Sequence, residues 1–385
     1  MKPATFAGPS GGGAVIVPLL DLQAQHATIR EAVMSAVLSV IERQQFIMGP
    51  EVGSLEAAVA RLSGVRHAIG CASGTDALLL PLKALDLRPG DEVIVPPFTF
   101  FATAGTVHNA GGRPVFADIE PDSFNISPEA IEAAITPRTR AIIVVHLFGQ
   151  MAKMEEILAL AAKRGLPVIE DAAQAIGARR RMSGAWRMAG ETGWAGTLSF
   201  FPSKNLGAWG DGGMILAQDD ALAERMRRLR LHGGARQYHH DEVGTNSRLD
   251  TLQAAVLLAK LPFLAGWSAA RREKAAAYTA AFGGLGAVVP PAVDPANEHI
   301  FHQYTVRAPR RDGLLSHLKA RGIGCAVYYP LALHLQPCFS FLGYRPGSLP
   351  AAEAATAEVI SLPVYPELTE AQQAEVVRAV TEFYD

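Results

Sequence analysis

Lys204 stands in the run Ser199-Phe-Phe-Pro-Ser-Lys-Asn-Leu-Gly207, closely followed by Gly210-Asp-Gly-Gly213, and Ile169-Glu-Asp-Ala-Ala-Gln174 upstream delivers a carboxylate at a strand end. A free lysine has a pKa near about 10.4, so only about one in 2,500 is neutral at pH 7. Burial lowers that value, and condensation with an aldehyde turns the amine into an imine. A carboxylate such as Asp171 can pair with a protonated pyridine nitrogen and keep the ring an electron sink, while a hydroxyl such as Ser199 can meet a phosphate. Lysine, carboxylate and hydroxyl are together the parts that hold pyridoxal 5'-phosphate.

Each residue has a plainer reading when taken alone: Lys204 as a surface lysine, Asp171 as a helix cap, Ser73-Gly-Thr75 as an ordinary helix start. Their joint occurrence gives them weight. The glycine turn at Ser73-Gly-Thr75 opens a helix whose free N–H groups and dipole suit a phosphate. Phe98-Thr-Phe-Phe101 follows a strand, and Phe100 is the aromatic best placed to stack on a flat ring. Gln174 lies three residues beyond Asp171, within reach of a ring hydroxyl or its surroundings. In Gly244-Thr-Asn-Ser-Arg248, Asn246 is a cap or a ligand, and Arg248 offers a two-pronged fork to a phosphate. No His, Cys, Asp or Glu cluster has zinc spacing, so no metal is expected. Cys71 reads as a small core residue and His239-His240 as a solvated turn.

These residues need a frame to bring them together. Continuous apolar strands such as Ala141-Ile-Ile-Val-Val145 alternate with amphipathic helices, which predicts a mostly parallel sheet covered on both faces. Ligands of such sheets bind beyond the carboxyl ends of the strands. Polar clusters recur at those ends: Ser73 to Thr75, Thr99, His146 with Gln150, and Asp171 with Gln174. The expected organisation is a disordered lead over 1–14, a large α/β domain over 15–265 and a smaller C-terminal α/β domain over 266–385. A strand is expected at Val327-Tyr-Tyr329.

Bulk properties narrow the function classes. The net charge is −2, from 35 basic and 37 acidic residues, and no basic stripe or apolar spanning run stands out, so neither nucleic acid nor membrane is expected as a partner. Three cysteines without ligand spacing point to a reducing, cytoplasmic setting. No G-x-G-x-x-G links a first strand to a helix, which disfavours a nicotinamide-dependent oxidoreductase.

Together the blocks Ser73 to Leu78, Gly90 to Ile94, Val145 to Gln150, Glu170 to Gln174, Ser199 to Gly213, Asn246 to Ala255 and Tyr328 to Gln336 resemble the DegT/DnrJ/EryC1/StrS family of pyridoxal-phosphate sugar aminotransferases. The resemblance runs from about Pro18 to Pro363. It implies a fold-type I, aspartate aminotransferase-like architecture and a homodimer with shared active sites. It implies that Gly74, Thr75 and Ser199 hold the phosphate, that Phe100 stacks on the ring, that Asp171 pairs with the ring nitrogen and that Gln174 lies near the ring oxygen. Lys204 is then the covalent anchor, Asn246 reaches the phosphate from the partner subunit, and Arg248, Tyr329 and His334 shape the nucleotide-sugar site. The implied reaction moves an amino group from L-glutamate to a nucleotide-linked keto-sugar. Asn246-Ser-Arg-Leu-Asp-Thr-Leu-Gln253 is similar to members that aminate C3, with 4-keto sugars or keto-inositols as alternative acceptors and a non-catalytic cofactor-binding regulator as a further one. Lys204 disfavours the dehydratase branch, where histidine replaces it. The segment Arg179 to Thr192 and Trp209 depart from the family pattern.

Overall fold

The computed structural model describes residues 16–236 and 238–385. The lead expected over 1–14 lies outside the described residues. Helices α1 (Leu22–Arg43) and α2 (Pro50–Ser63) precede strand β1 (His67–Cys71) and helix α3 (Gly74–Ala84). The alternation continues through β2 (Glu92–Val95), α4 (Ala102–Asn109), β3 (Arg113–Phe116), α5 (Pro128–Ala134), β4 (Thr139–Val145), α6 (Met154–Arg164) and β5 (Val168–Asp171). A hairpin of β6 (Arg179–Met182) and β7 (Ala185–Met188) follows, then β8 (Ala195–Ser199), β9 (Gly213–Ala217), α7 (Asp220–Leu229), α8 (Thr251–Lys260) and α9 (Leu264–Phe282). The chain closes with β10 (Asn297–Glu298), β11 (Tyr304–Arg307), α10 (Arg311–Ala320), α11 (Pro350–Glu358), β12 (Val359–Leu362) and α12 (Glu370–Tyr384).

Seven strands form the central sheet in the order β1-β9-β8-β5-β4-β2-β3. Strands β8, β5, β4, β2 and β3 pair in parallel, and β9 alone runs against its neighbours β8 and β1. The reason is visible in β4. Successive side chains of a strand point to opposite faces. Ile142 and Val144 enter one core with α2, α6 and α8, whereas Ala141, Ile143 and Val145 enter another with α4. A strand buried on both faces must be apolar throughout, and each such Ile or Val contributes about 1.5–3 kcal/mol on burial. The same alternation continues in β5: Val168 belongs to the first core and Ile169 to the second. The next pair, Glu170 and Asp171, therefore departs toward opposite faces.

A third core joins α9, α10, α12 and the pair β11–β12. It also holds Val17, whose backbone bonds Gly322 and Gly324 although it was expected with residues 15–265. The exchange runs the other way as well, since Leu333, Phe339, Leu349 and Ala355 pack into the α4 core. The chain thus passes back and forth between the cores. The expected strand at 327–329 does not form; Ala326 makes a single bridge to Ser361 and the next residues turn away toward the sheet's carboxyl edge. One helical run, Thr251–Phe282, has an 18-residue window of mean hydropathy 1.3, long and apolar enough to cross a membrane by length and composition. Only its spanning-length apolarity goes beyond the sequence reading, and that apolarity serves the cores, into which it sends Ala254, Leu257, Leu264 and Tyr278.

The arginine-rich stretch is the β6–β7 hairpin. Its turn carries Ser183 at φ 45° and Gly184 at φ 84°, the left-handed pair that a two-residue hairpin turn requires. Arg179 stacks on Trp186 at 4.9 Å and pairs with Glu298 at 2.7 Å, and Arg180 pairs with Asp294 at 2.6 Å. Most of its charge is thus engaged within the chain.

Candidate active site

The carboxyl ends of β1, β2, β5 and β8 bring the chemistry together. Helix α3 starts at Gly74, with the Ser73 side chain accepting from the Asp76 N–H at 3.1 Å. Helix starts leave backbone N–H groups without intrahelical partners. Ser199, the last residue of β8, packs directly on that start: a Cβ on Gly74 would lie 2.6 Å from the Ser199 Cβ. Only glycine permits this approach, which sets a hydroxyl beside a half-buried Gly74 and an exposed Thr75.

Lys204 follows in a turn whose N–H bonds Phe201 O at 2.8 Å. The turn is held from three sides. Lys260 donates to Gly207 O at 2.6 Å, Asn205 Nδ2 donates to Ile300 O at 3.3 Å, and His302 Nδ1 meets Asn205 Oδ1 at 3.1 Å. Because Asn205 uses its amide nitrogen on a carbonyl, its oxygen is the acceptor and His302 carries its proton on Nδ1. Burial holds His302 well below the usual histidine range, and the charges of Lys204 and Arg271 push the same way. The Lys204 side chain is half-buried, and among the described residues no acceptor lies within hydrogen-bonding distance of its Nζ. Burial pushes its pKa down to about 8, against the opposing charge of Asp171. A neutral amine is thereby brought within reach near neutral pH.

Asp171 is 5% exposed. Its Oδ2 accepts from Thr103 Oγ1 at 2.9 Å and its Oδ1 from the Ala173 N–H at 3.2 Å. Burial raises its pKa; Thr103, Ala173, Lys204 and His146 oppose that rise. On the other face of β5, Glu170 has no such vacancy. It accepts five hydrogen bonds, from His146 Nε2, Gly190 N, Thr192 N, Thr192 Oγ1 and Gly193 N. Burial alone would raise its pKa, but His146 and the backbone donors hold it below the usual range. His146, grouped with the site from its strand-end position, is this carboxylate's partner in the core. Its Nδ1 accepts from Ala152 N at 3.2 Å, which places its proton on Nε2, facing Glu170 at 2.7 Å.

The other expected site residues divide. Tyr329 joins the site and accepts on Oη from Gln174 Nε2 at 3.0 Å. Gln174, expected near a ring oxygen, has both ends engaged within the chain, since its Oε1 accepts from Phe148 N at 2.8 Å. It positions Tyr329. Phe100 precedes α4 and is 59% exposed. Asn246 is exposed and Arg248 half-buried, in a segment tied to α3 by Ser247 Oγ, 2.8 Å from Asp76 Oδ2. His334, expected at the sugar-nucleotide site, lies instead in the core at 1% exposure: its Nε2 meets Glu353 at 3.0 Å and its ring packs against Phe116 and Tyr344. The physical reason is its turn, tied by the Leu333 N–H to Pro97 O, which directs the imidazole inward. Sequence reasoning missed Thr103, Asn205, Lys260 and His302. Only Thr103 left a signal, a second hydroxyl one helical turn after Thr99.

A mostly parallel sheet with a desolvated lysine and an under-satisfied carboxylate at its carboxyl edge has the form of a fold-type I pyridoxal-phosphate enzyme. The residues fit that cofactor: a lysine amine without an acceptor, a carboxylate with lone pairs to spare, and a helix start built for an anion. The family model described as the DegT/DnrJ/EryC1/StrS aminotransferase family matches residues 27–381, and the chain belongs to that family. It is 52% identical over 372 residues to the "Pleiotropic regulatory protein" of Geobacillus stearothermophilus, covering 96% of this chain and 98% of the relative. It is 47% identical over 365 residues to the UDP-N-acetyl-3-dehydro-alpha-D-glucosamine 3-aminotransferase of Acidithiobacillus ferrooxidans, covering 94% and 97%. Among solved structures, S. venezuelae DesV in complex with a ketimine intermediate matches with a TM-score of 0.93 at 42% identity, covering 96% of this chain and 99% of that one. The ntda protein of Bacillus subtilis with bound cofactor PMP matches with a TM-score of 0.88 at 31% identity, covering 97% and 86%. The chain is an aminotransferase by family and fold.

Proposed function

We propose that this enzyme transfers an amino group from L-glutamate to the C3 keto group of a nucleotide-linked sugar, with pyridoxal 5'-phosphate as cofactor. The observation that carries the chemistry is a buried Asp171, bonded only by Thr103 and Ala173, at the end of β5, with the unengaged Lys204 amine on the turn after β8 near enough for each to feel the other's charge. When bound, the cofactor supplies an aldehyde for the amine and a ring that withdraws electrons from the substrate carbon. Gly74, Thr75 and Ser199 take its phosphate, Phe100 stacks on its ring, and Asp171 holds positive charge on its nitrogen. Lys204, with a pKa near 8, accepts and returns a proton at the substrate carbon during both half-reactions. Tyr329, its oxygen already accepting from Gln174, keeps its own proton to donate toward the sugar. Burial raises its pKa, so the phenol stays protonated. Arg248 faces the diphosphate. Asn246 completes the phosphate site across a homodimer, so each active site is shared.

The C3 choice is supported by the 3-aminotransferase named above, which the chain covers almost from end to end. The three free cysteines suit a cytoplasmic enzyme. A regulatory role is the second reading, favoured by the name of the Geobacillus relative. The test is glutamate transamination against UDP- and dTDP-linked 3-keto and 4-keto sugars and a keto-inositol. Turnover restricted to 3-keto nucleotide sugars is the expected result. Preferred turnover of a 4-keto sugar or of the inositol overturns the acceptor assignment, and binding of cofactor without any turnover favours the regulator.

A further inference from the structure

Asp171 is useful to a ring nitrogen only while it is ionised and aimed, yet its surroundings work against both. It is 5% exposed, and burial is the largest influence on its titration. The charged and titratable groups that face it are Lys204 from the turn after β8, His146 from the end of β4 and Tyr329 from the segment crossing the site. None is a constant donor. The Lys204 amine is the group spent on the cofactor, His146 has its proton on Glu170, and Tyr329 is a neutral phenol. What remains are the Ala173 N–H, fixed by the backbone on Oδ1, and one side chain, Thr103, on Oδ2.

Thr103 is fully buried in the first turn of α4 and reaches Asp171 across 68 residues of sequence. A hydroxyl has one proton and two lone pairs. With the Thr103 proton committed to Asp171 Oδ2, the Thr99 hydroxyl 3.2 Å away must be the donor to Thr103. Both hydroxyls then point along one line, Thr99 to Thr103 to carboxylate, each polarising the next. Thr99 is itself 2% exposed, so no solvent competes for that order. One turn on, Thr106 is equally buried but spends its proton on Ala102 O at 2.8 Å, the ordinary fate of a helical threonine. The contrast within one helix separates a hydroxyl used by the backbone from one used by a functional carboxylate.

We propose that Thr103, backed by Thr99, is a positioning residue that holds Asp171 ionised and oriented toward the cofactor's ring nitrogen. It rests on the pyridoxal-phosphate reading above. A hydrogen bond to a charged group is worth about ten- to a hundredfold in equilibrium terms, so its loss moves the carboxyl's titration upward by about one to two pH units.

The experiment compares wild type with Thr103→Val, Thr103→Ser, Thr99→Val and Thr106→Val as full-length proteins. Pyridoxal phosphate is titrated into each apoprotein across a pH series, and kcat and KM for the keto-sugar are measured on the reconstituted enzymes. Thr103→Val should weaken cofactor affinity about ten- to a hundredfold at neutral pH, move the acid limb of the affinity profile upward, and lower kcat with little change in KM. Thr103→Ser should restore most of both, Thr99→Val should shift the limb the same way by severalfold, and Thr106→Val should match wild type. An unchanged acid limb in both Thr103→Val and Thr99→Val overturns the proposal, as does failure of serine to rescue, which would mark the methyl group as the essential part. Should Thr103→Val not fold, Thr99→Val and Thr103→Ser still decide. A wild-type protein that binds no pyridoxal phosphate overturns the underlying reading instead, a result separate from a normal wild type with a silent Thr103.

Discussion

Glu170 and Asp171 are adjacent carboxylates on one strand, both buried, and they have opposite fates. Glu170 is closed: five donors surround it, one of them His146 Nε2. It fixes the loop at Gly190 to Gly193 beside β8. Asp171 is open: two donors, a desolvated shell and a lysine across the cleft. The pleat alone separates them, by sending consecutive side chains to opposite faces. A fully bonded buried carboxylate is a structural joint, whereas an under-bonded one is a site waiting for a partner with a proton to share.

The largest effect should come from the open side. Lys204→Ala should lower transamination by at least about a thousandfold, since under the proposed function it removes both the covalent anchor and the proton carrier. Its unfolding midpoint should stay at or above that of wild type, because a desolvated amine without an acceptor costs stability. Steady-state assays and urea titrations on the same preparation check both halves. Activity within tenfold of wild type would sink the assignment.

The closed side should respond in the reverse way. Glu170→Gln keeps the shape but replaces an acceptor-only group with one that presents an N–H to several donors. Breaking a buried, paired carboxylate in this manner costs about 3–5 kcal/mol. The urea midpoint should fall sharply, with kcat per folded, cofactor-loaded site affected far less than by Lys204→Ala. A Glu170→Gln protein as stable as wild type would show that the five bonds are geometry without energetic weight.

Much of this division was legible in the sequence, and its limits are physical. The apolar run Ala141 to Val145 announced a strand buried on both faces, and the polar residues just past such strands marked the carboxyl edge. Lys204 and Asp171 were legible because each interrupts an apolar context. The sequence points to Asp171 as the carboxylate that meets a ring nitrogen, and the alternation from Val168 and Ile169 gives the reason it faces the cleft and Glu170 does not. Thr103 and His302 were hidden because their partners lie 68 and 97 residues away, and nothing local requires either contact. His334 was misplaced because a motif specifies order along the chain, whereas the direction of a side chain in an irregular turn depends on packing against Phe116 and Tyr344. Val17, inside the expected range 15–265, packs into the third core because a single parallel bridge to Ile323 decides its place.

The smallest effect separates the two carboxylates by sign. Glu170 titrates below its unfolded value, about 4.3, so its stabilisation is present above that pH and is lost as pH falls through the folded value. Asp171 titrates above its unfolded value, about 3.9, so the folded state holds more protons between the two values and stability falls as pH rises through that window. At neutral pH Asp171 is therefore a cost and Glu170 a gain. Asp171→Asn should leave the urea midpoint of the apoprotein unchanged or slightly raised at pH 7, by less than about 1 kcal/mol, and that advantage should vanish as pH falls toward 4. The deficit of Glu170→Gln should hold down to about pH 4.3 and shrink only as pH falls further, through the folded value. The two difference curves, taken at one protein concentration because a dimer's stability depends on it, should bend in opposite directions. Curves bending the same way would mean that the bonds from Thr103 and Ala173 already outweigh burial at Asp171, and that its openness is a matter of geometry alone.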